Sequence, residues 1–314
     1  MILSIDIGGT AVKMGLVDEG GEVHARHEAS VCFDGYRTPI LTTVMREAEA
    51  FLRRENAQVA GIGVSATGQV DDRAGVVIGT NGKIPGYEGS RIKEEMESRF
   101  HLPVWVLNDA NAAALGECFA GAARGRRHVL MLTLGTGVGG GVVLGGKLLT
   151  GYTGAASELG HMVIVEGGEA CTCGSRGCFE AYCSATALIR DTKRAMDAHP
   201  ESLLHAVARQ SGGVDGRTAF LAREQGDTAA AQVVDAYIEH LACGLTNLVD
   251  IFFPEVLALS GGVANQGDAL LLPLRKLVRE RSFGSRYAAS HTRLELCTLG
   301  YRAGVIGAAM LARA

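Results

Sequence analysis

Glu158-Leu-Gly-His161 and, beginning ten residues after His161, Cys171-Thr-Cys173-Gly-Ser-Arg-Gly-Cys178-Phe-Glu180 hold the densest chemistry in the chain. One imidazole and three thiols make the donor set of a closed tetrahedral zinc site, with no open position left for water. Glu158 and Glu180 flank that set, so a metal there would pin two carboxylates and an imidazole in one small volume. Such a group suits gripping several hydroxyls of a polyol. An isolated cysteine reads as an inert, buried hydrophobe, and Cys32, Cys118, Cys183, Cys243 and Cys297 are read that way. Three cysteines within eight residues, beside Gly174 and Gly177, are harder to dismiss. A disulfide framework is the competing reading, but the chain is large and carries no secretory signal, which favours metal binding. Only one residue separates Cys171 from Cys173, tighter than the usual two to four of zinc sites.

The two segments resemble the signature of the ROK family (repressors, open reading frames, sugar kinases), which combines ExGH with CxCGxxGCxE. Both stand here in full, and the resemblance supports the tight Cys171–Cys173 spacing. It covers almost the whole chain and implies an α/β, two-lobed actin-like ATPase/hexokinase fold with an active-site cleft between the lobes. The implied activity is ATP-dependent phosphorylation of a free hexose, glucose to glucose 6-phosphate first. Fructose, allose, N-acetylmannosamine or a β-glucoside are alternatives, as is a sugar-binding, repressor-like member without catalysis. The implied zinc is structural, held by His161, Cys171, Cys173 and Cys178, and too fully coordinated to act as a Lewis acid. Sugar contacts carry over to Asn108, Asp109, Glu158, His161 and Glu180, with one His161 ring nitrogen on zinc and the other toward a sugar hydroxyl. Gly68 and Asn81 are weaker candidates, and Gly82-Lys83 alters the loop that holds Asn81. Family members are commonly homodimers.

Asn108-Asp109-Ala-Asn111 follows an apolar run and precedes a helical one, a strand-to-helix junction where α/β scaffolds place catalytic groups. Asp109 is the candidate general base, accepting the proton of the attacking hydroxyl. The plainer reading makes Asp109 a helix N-cap, a role compatible with staying ionised near the helix dipole.

Two glycine turns resemble the phosphate cradles of this family, although Gly8-Gly9-Thr10 taken alone reads as an ordinary β-turn. Asp6-Ile-Gly8-Gly9-Thr10 closes the first strand: its glycines let backbone N–H groups approach a phosphate of ATP, Thr10 adds a hydroxyl, and Asp6 is placed for a hydrated Mg²⁺. Lys13 either reaches the phosphates or stands in solvent. Gly135-Thr136-Gly137-Val-Gly-Gly140-Gly141 is the second turn, with Thr136 as donor. Gly135, Gly137 and Gly140 satisfy a dinucleotide fingerprint, but strand residues follow where a helix is required. Gly141 to Lys147 begins a P-loop, but Leu148 stands where Ser or Thr must meet Mg²⁺. By resemblance, Ser260-Gly261-Gly262-Val263 is the adenosine segment.

The elements that must carry these residues follow from hydrophobic period. Strands are expected at Ile2 to Ile7, Val12 to Val17, Val59 to Val64, Val104 to Leu107, Val129 to Leu134, Val142 to Leu144 and Val256 to Leu259. Helices are expected from Pro39 to Arg54, after a Ser90 cap, from Ala112 to Phe119, Asp191 to Ala208, Thr228 to Val249, Asp268 to Arg281 and Ala303 to Ala312. The repeated glycine-turned hairpin points to two similar α/β halves, 1–115 rejoined by 300–314, and 116–299 with the cysteine motif. With 314 residues and a net charge of −4, the chain fits one large or two medium domains and has no global pull toward nucleic acid or acidic membranes. No signal peptide or membrane-length apolar run is present, so the expected location is the cytoplasm. The first hairpin begins at residue 2, so a repressor's helix-turn-helix ahead of it is not expected.

Overall fold

A computed structural model describes residues 1–80 and 84–312. In chain order, β1 (Ile2–Ile7), β2 (Ala11–Val17) and β3 (Val23–Ser30) lead to α1 (Ile40–Arg54) and β4 (Ile62–Ala66). The small hairpin β5 (Gln69–Asp71) and β6 (Val76–Gly79) precedes α2 (Ile92–Phe100), β7 (Val104–Asn108) and α3 (Asp109–Ala120). Then come β8 (Val129–Leu134), β9 (Val138–Leu144), β10 (Lys147–Leu148) and the helices α4 (Glu180–Cys183), α5 (Ala185–Ala198), α6 (Leu204–Gln210), α7 (Thr218–Glu224) and α8 (Thr228–Phe252). β11 (Val256–Ser260), α9 (Asp268–Arg281), α10 (Phe283–Tyr287), β12 (Arg293–Leu296) and α11 (Arg302–Leu311) complete the chain.

Two five-stranded sheets share one plan. The first has order β3-β2-β1-β4-β7 and the second β10-β9-β8-β11-β12. In the first, β2 runs antiparallel to β1, while β4 and β7 follow parallel. In the second, β12 is parallel to β11. The chain separates into two compact units: Met1–Val129, Gly141–Ser157 and Thr298–Ala314 form one, Leu130–Gly140 and Glu158–Cys297 the other.

In the first unit, strand alternation decides what each face does. Leu3, Ile5 and Ile7, with Ile62, Val64 and Ala66, are buried in one core with Val44, Ala48 and Phe51 of α1 and Ile92 and Met96 of α2. The intervening residues meet α11: the Ser4 hydroxyl donates to the Val305 carbonyl, and a Cβ at Gly63 would lie 2.0 Å from the Ala308 carbonyl oxygen. α11 also lies against α3, where a Cβ at Gly307 would fall 1.6 Å from the Ala112 carbonyl oxygen and one at Gly116 2.3 Å from that of Ala303. Glycine is required there because two backbones touch. Asp6 and Ser65 share this α11-facing side, at the carboxyl ends of their strands.

Three local expectations need correction. Ser90 does not cap α2: the N-cap position is Arg91 and carries no side-chain cap bond, while the Ser90 carbonyl accepts from Val77 N–H at 3.1 Å. The single helix expected from Asp191 to Ala208 is two, α5 and α6, broken at His199-Pro200, because proline lacks the N–H and disfavours helical geometry before it. The second hairpin returns earlier than expected, at Val138, so Gly139 to Gly141 are strand positions and only Gly135 to Gly137 turn.

Candidate active site

In the first unit the site begins where β7 becomes α3. Asn108, not Asp109, is the N-cap: its backbone is extended and its side-chain oxygen accepts from Ala110 N–H at 2.9 Å and Asn111 N–H at 3.2 Å. Its amide nitrogen donates to the Gly68 carbonyl at 2.7 Å and to Asp109 Oδ1 at 3.0 Å. Asn108 thus spends its amide on orienting Asp109 and the Gly68 turn. Gly68 has φ of +92°, and a Cβ there would meet the Gly79 carbonyl oxygen at 2.6 Å, so the turn needs glycine.

Asp109, now the first helical residue, accepts from Ala110 N–H at 2.8 Å. Burial pushes its carboxyl up to about 6, and the charge of Asp6 adds to the rise against the opposing hydrogen bonds. Asp6 is likewise raised, mainly by burial, with partial relief from Ser65, whose hydroxyl donates to Oδ1 at 2.6 Å, and from the Lys13 charge. Lys13 lies opposite Asp6 in the β1–β2 ladder. The turn between those strands is closed by Gly8 N–H on the Ala11 carbonyl at 3.0 Å; the Gly9 carbonyl accepts from the Tyr36 hydroxyl at 2.7 Å, and Thr10 is exposed at the tip.

In the second unit, Gly135, Thr136 and Gly137 form a tight turn, with Gly135 N–H on the Gly137 carbonyl at 3.0 Å. The start of α5 braces it: Ala185 N–H donates to the Gly135 carbonyl at 2.7 Å, and the Thr186 hydroxyl to the Thr136 carbonyl at 2.7 Å. Thr136 itself is exposed. Gly261, at φ +92°, lies so close that a Cβ would sit 2.5 Å from the Leu134 carbonyl oxygen, which brings Gly261-Gly262 beside the hairpin. No helix follows the glycines, so the dinucleotide reading fails on structure as it does on sequence.

The thiol–imidazole set assembles on the same unit. The donor atoms of His161, Cys171, Cys173 and Cys178 all lie within 4.8 Å of one another. Cys171 Sγ is 3.6 Å from His161 Nδ1, and the Cys173 and Cys178 sulfurs are 3.7 Å apart. All eight cysteines are free. Tetrahedral zinc with ligand bonds of roughly 2.3 Å sets its sulfurs about 3.8 Å apart, whereas a disulfide needs about 2.05 Å. The donor set fits a metal and not a bridge. A short 3₁₀ turn, Leu159–His161, aims the imidazole; Gly160 is obligatory because a Cβ would lie 2.0 Å from the Val138 carbonyl oxygen. Phe179 anchors the far end of the loop, fully buried against Gly244 of α8.

Glu180 joins the two features. Its Oε2 accepts from Val138 N–H at 2.9 Å in the hairpin, and its Oε1 from the Thr172 hydroxyl at 3.1 Å in the cysteine loop. A Cβ at Gly137 would fall 2.3 Å from Oε2, so this glycine makes room for the carboxylate. Glu158 is exposed immediately before the 3₁₀ turn. The structure therefore gathers Asp6, Gly68, Asn108 and Asp109 in the first unit, and Gly135 to Gly137, Glu158, His161, Glu180, Gly261 and the cysteines in the second. Asn81 lies outside the described residues. Sequence reasoning overlooked Ser65, whose alternation in β4 signals the Asp6-bearing face, and Tyr87, an aromatic following Pro85-Gly86.

Paired sheets of equal strand order, each opened by a glycine-turned hairpin, define the actin-like ATPase/hexokinase class of fold. Within that class the chain belongs to the ROK family, whose profile matches residues 2–314. A glucokinase of Streptomyces coelicolor is 36% identical over 323 residues, covering 100% of this chain and 98% of the relative. A glucokinase of Thermotoga maritima is 35% identical, covering 88% of this chain and 86% of its own length. The crystal structure of a ROK family glucokinase from Streptomyces griseus in complex with glucose and AMPPNP superposes with a TM-score of 0.81 at 35% identity, covering 99% of both chains.

Proposed function

We propose that this protein is an ATP-dependent hexose kinase that converts glucose to glucose 6-phosphate. The observation that carries the reading is the full-length likeness, at 35% identity, to a glucokinase solved with glucose and an ATP analogue. Asp109 receives the proton of the sugar hydroxyl as that oxygen bonds to the γ-phosphorus and the bond to ADP breaks. Its raised carboxyl suits a general base, being ionised at neutral pH yet more basic than an exposed Asp. Asn108 holds it in place. The hairpins at Gly8-Gly9-Thr10 and Gly135-Thr136-Gly137 offer N–H and hydroxyl donors to phosphate oxygens, with Gly261-Gly262 leaving room for the nucleoside. Asp6 would hold a hydrated Mg²⁺, which neutralises phosphate charge when bound. Glu158 and His161 grip sugar hydroxyls, and Glu180 braces the loop that presents them. Zinc on His161, Cys171, Cys173 and Cys178 is structural, and leaves the second imidazole nitrogen for the sugar.

The test is ADP release with Mg-ATP across glucose, mannose, fructose, allose, N-acetylmannosamine, N-acetylglucosamine and cellobiose. Glucose is expected to give the highest kcat/KM. Preference for another sugar would move the substrate assignment within the same class. Silence from folded, zinc-replete protein would overturn the kinase reading in favour of a sugar-binding member without catalysis.

A further inference from the structure

Tyr87 is the least explained side chain near the Asp109 carboxyl. Its ring is 1% exposed and belongs to the core that contains Ile5, Ile7, Val64 and Ala66. Its hydroxyl has no hydrogen-bond partner among the described residues. A buried donor without a partner is destabilising, and phenylalanine would fill the same volume without that cost. The segment is held firmly: Gly89 N–H donates to the Val77 carbonyl at 2.8 Å, and Ser90 N–H to the Tyr87 carbonyl at 3.2 Å. It also packs on the first phosphate turn, where Ile84 Cδ1 stands 3.4 Å from the position a Cβ on Gly9 would take. Burial foremost, and then the charges of Asp109 and Asp6, hold the phenol pKa well above its ordinary value, so the group is a donor at every working pH.

We propose that Tyr87 is a sugar-binding residue, its O–H reserved for an oxygen of the hexose held at Asp109. The ligand supplies the acceptor that the protein lacks, so the hydroxyl is satisfied only in the sugar complex. The phenol is best employed on a hydroxyl beside the one that Asp109 deprotonates, since a hydrogen bond donated to the attacking oxygen would weaken the nucleophile. This inference rests on the kinase reading and adds a specificity contact to it.

The experiment compares Tyr87→Phe with wild type and with Asp109→Asn. Loss of one hydrogen bond to the sugar predicts a roughly tenfold rise in the KM for glucose, with the KM for ATP unchanged. The ligand-free Tm of Tyr87→Phe should be equal to or above that of wild type, and the rise in Tm produced by saturating glucose should shrink. A merely structural phenol predicts the opposite pattern, a lower ligand-free Tm with glucose KM preserved, and that result overturns the proposal. So does an unaltered glucose KM and Tm rise at any kcat. Asp109→Asn separates the two readings. If it turns over normally, the catalytic assignment fails; if it is inactive while Tyr87→Phe matches wild type, only the sugar contact of Tyr87 fails.

Discussion

Asp109 carries two opposed demands. As the proposed base it must be ionised, so kcat/KM should fall about tenfold per unit as pH drops below about 6. As a buried carboxylate it costs stability when charged. Its folded pKa of about 6 lies above the ordinary value of 3.8, so the native state holds its proton more tightly than the unfolded chain. The stabilising contribution of that proton is complete below pH 3.8 and is lost as pH rises through about 6. Above that, the buried charge costs on the order of 3 kcal/mol. Asp109→Asn should therefore lose turnover by roughly 10²- to 10⁴-fold and yet melt at a higher temperature than wild type at pH 8. The difference should close toward pH 4, as melting curves across that range will show; a constant difference would refute the burial argument. The Asn-Asp pair and its place at a strand–helix junction were legible in the sequence. Which of the two caps the helix was not, because adjacent Asn and Asp are equally good caps and only backbone geometry selects Asn108.

At the scale of elements, α11 is set by what it lacks. Gly307, Gly63 and Gly116 each leave no room for a Cβ, against the backbones of Ala112, Ala308 and Ala303 respectively. Gly307→Ala must push α11 away from α3 and should cost about 1–3 kcal/mol or more, read as a lowered Tm and a shift in urea midpoint. The start of that helix is tied by Glu117, a fully buried carboxylate that accepts from Ala122 N–H at 2.8 Å, Thr298 N–H at 3.1 Å and Leu299 N–H at 2.9 Å. Glu117→Ala strands three donors and should cost about 3 kcal/mol; Glu117→Gln, which keeps an acceptor, should recover much of it. An outcome with both variants as stable as wild type would remove Glu117 from this role. An apolar run at 303–312 announces a buried helix, but only the neighbouring backbones show why glycine stands at 307.

For the molecule as a whole, ligand and metal act through linkage. A sugar that binds only the native state adds about 2.7 kcal/mol at a hundred times its Kd, so glucose should raise the Tm of zinc-replete protein. Cys173→Ser should abolish that rise together with stoichiometric zinc, because the metal would tie three thiols of the cysteine loop to the His161 imidazole. Full zinc retention in Cys173→Ser, measured by elemental analysis, would refute the ligand set. Among the described residues no helix is long and apolar enough to cross a membrane.

The sequence by itself determined the chemistry that depends on residue type and short spacing: the Cys₃His donor set, the two glycine turns and the Asn-Asp junction. Local propensity and period were enough for most strands and helices because burial of one face is written into alternation. What tertiary structure alone decided were contacts between segments distant in the chain. Ser65 on Asp6, Glu180 bridging the hairpin to the cysteine loop, Glu117 on the start of α11, and the unpartnered Tyr87 hydroxyl all arise from long-range packing. Close packing sets which side chains meet to within fractions of an ångström, and no one-dimensional pattern carries that distance.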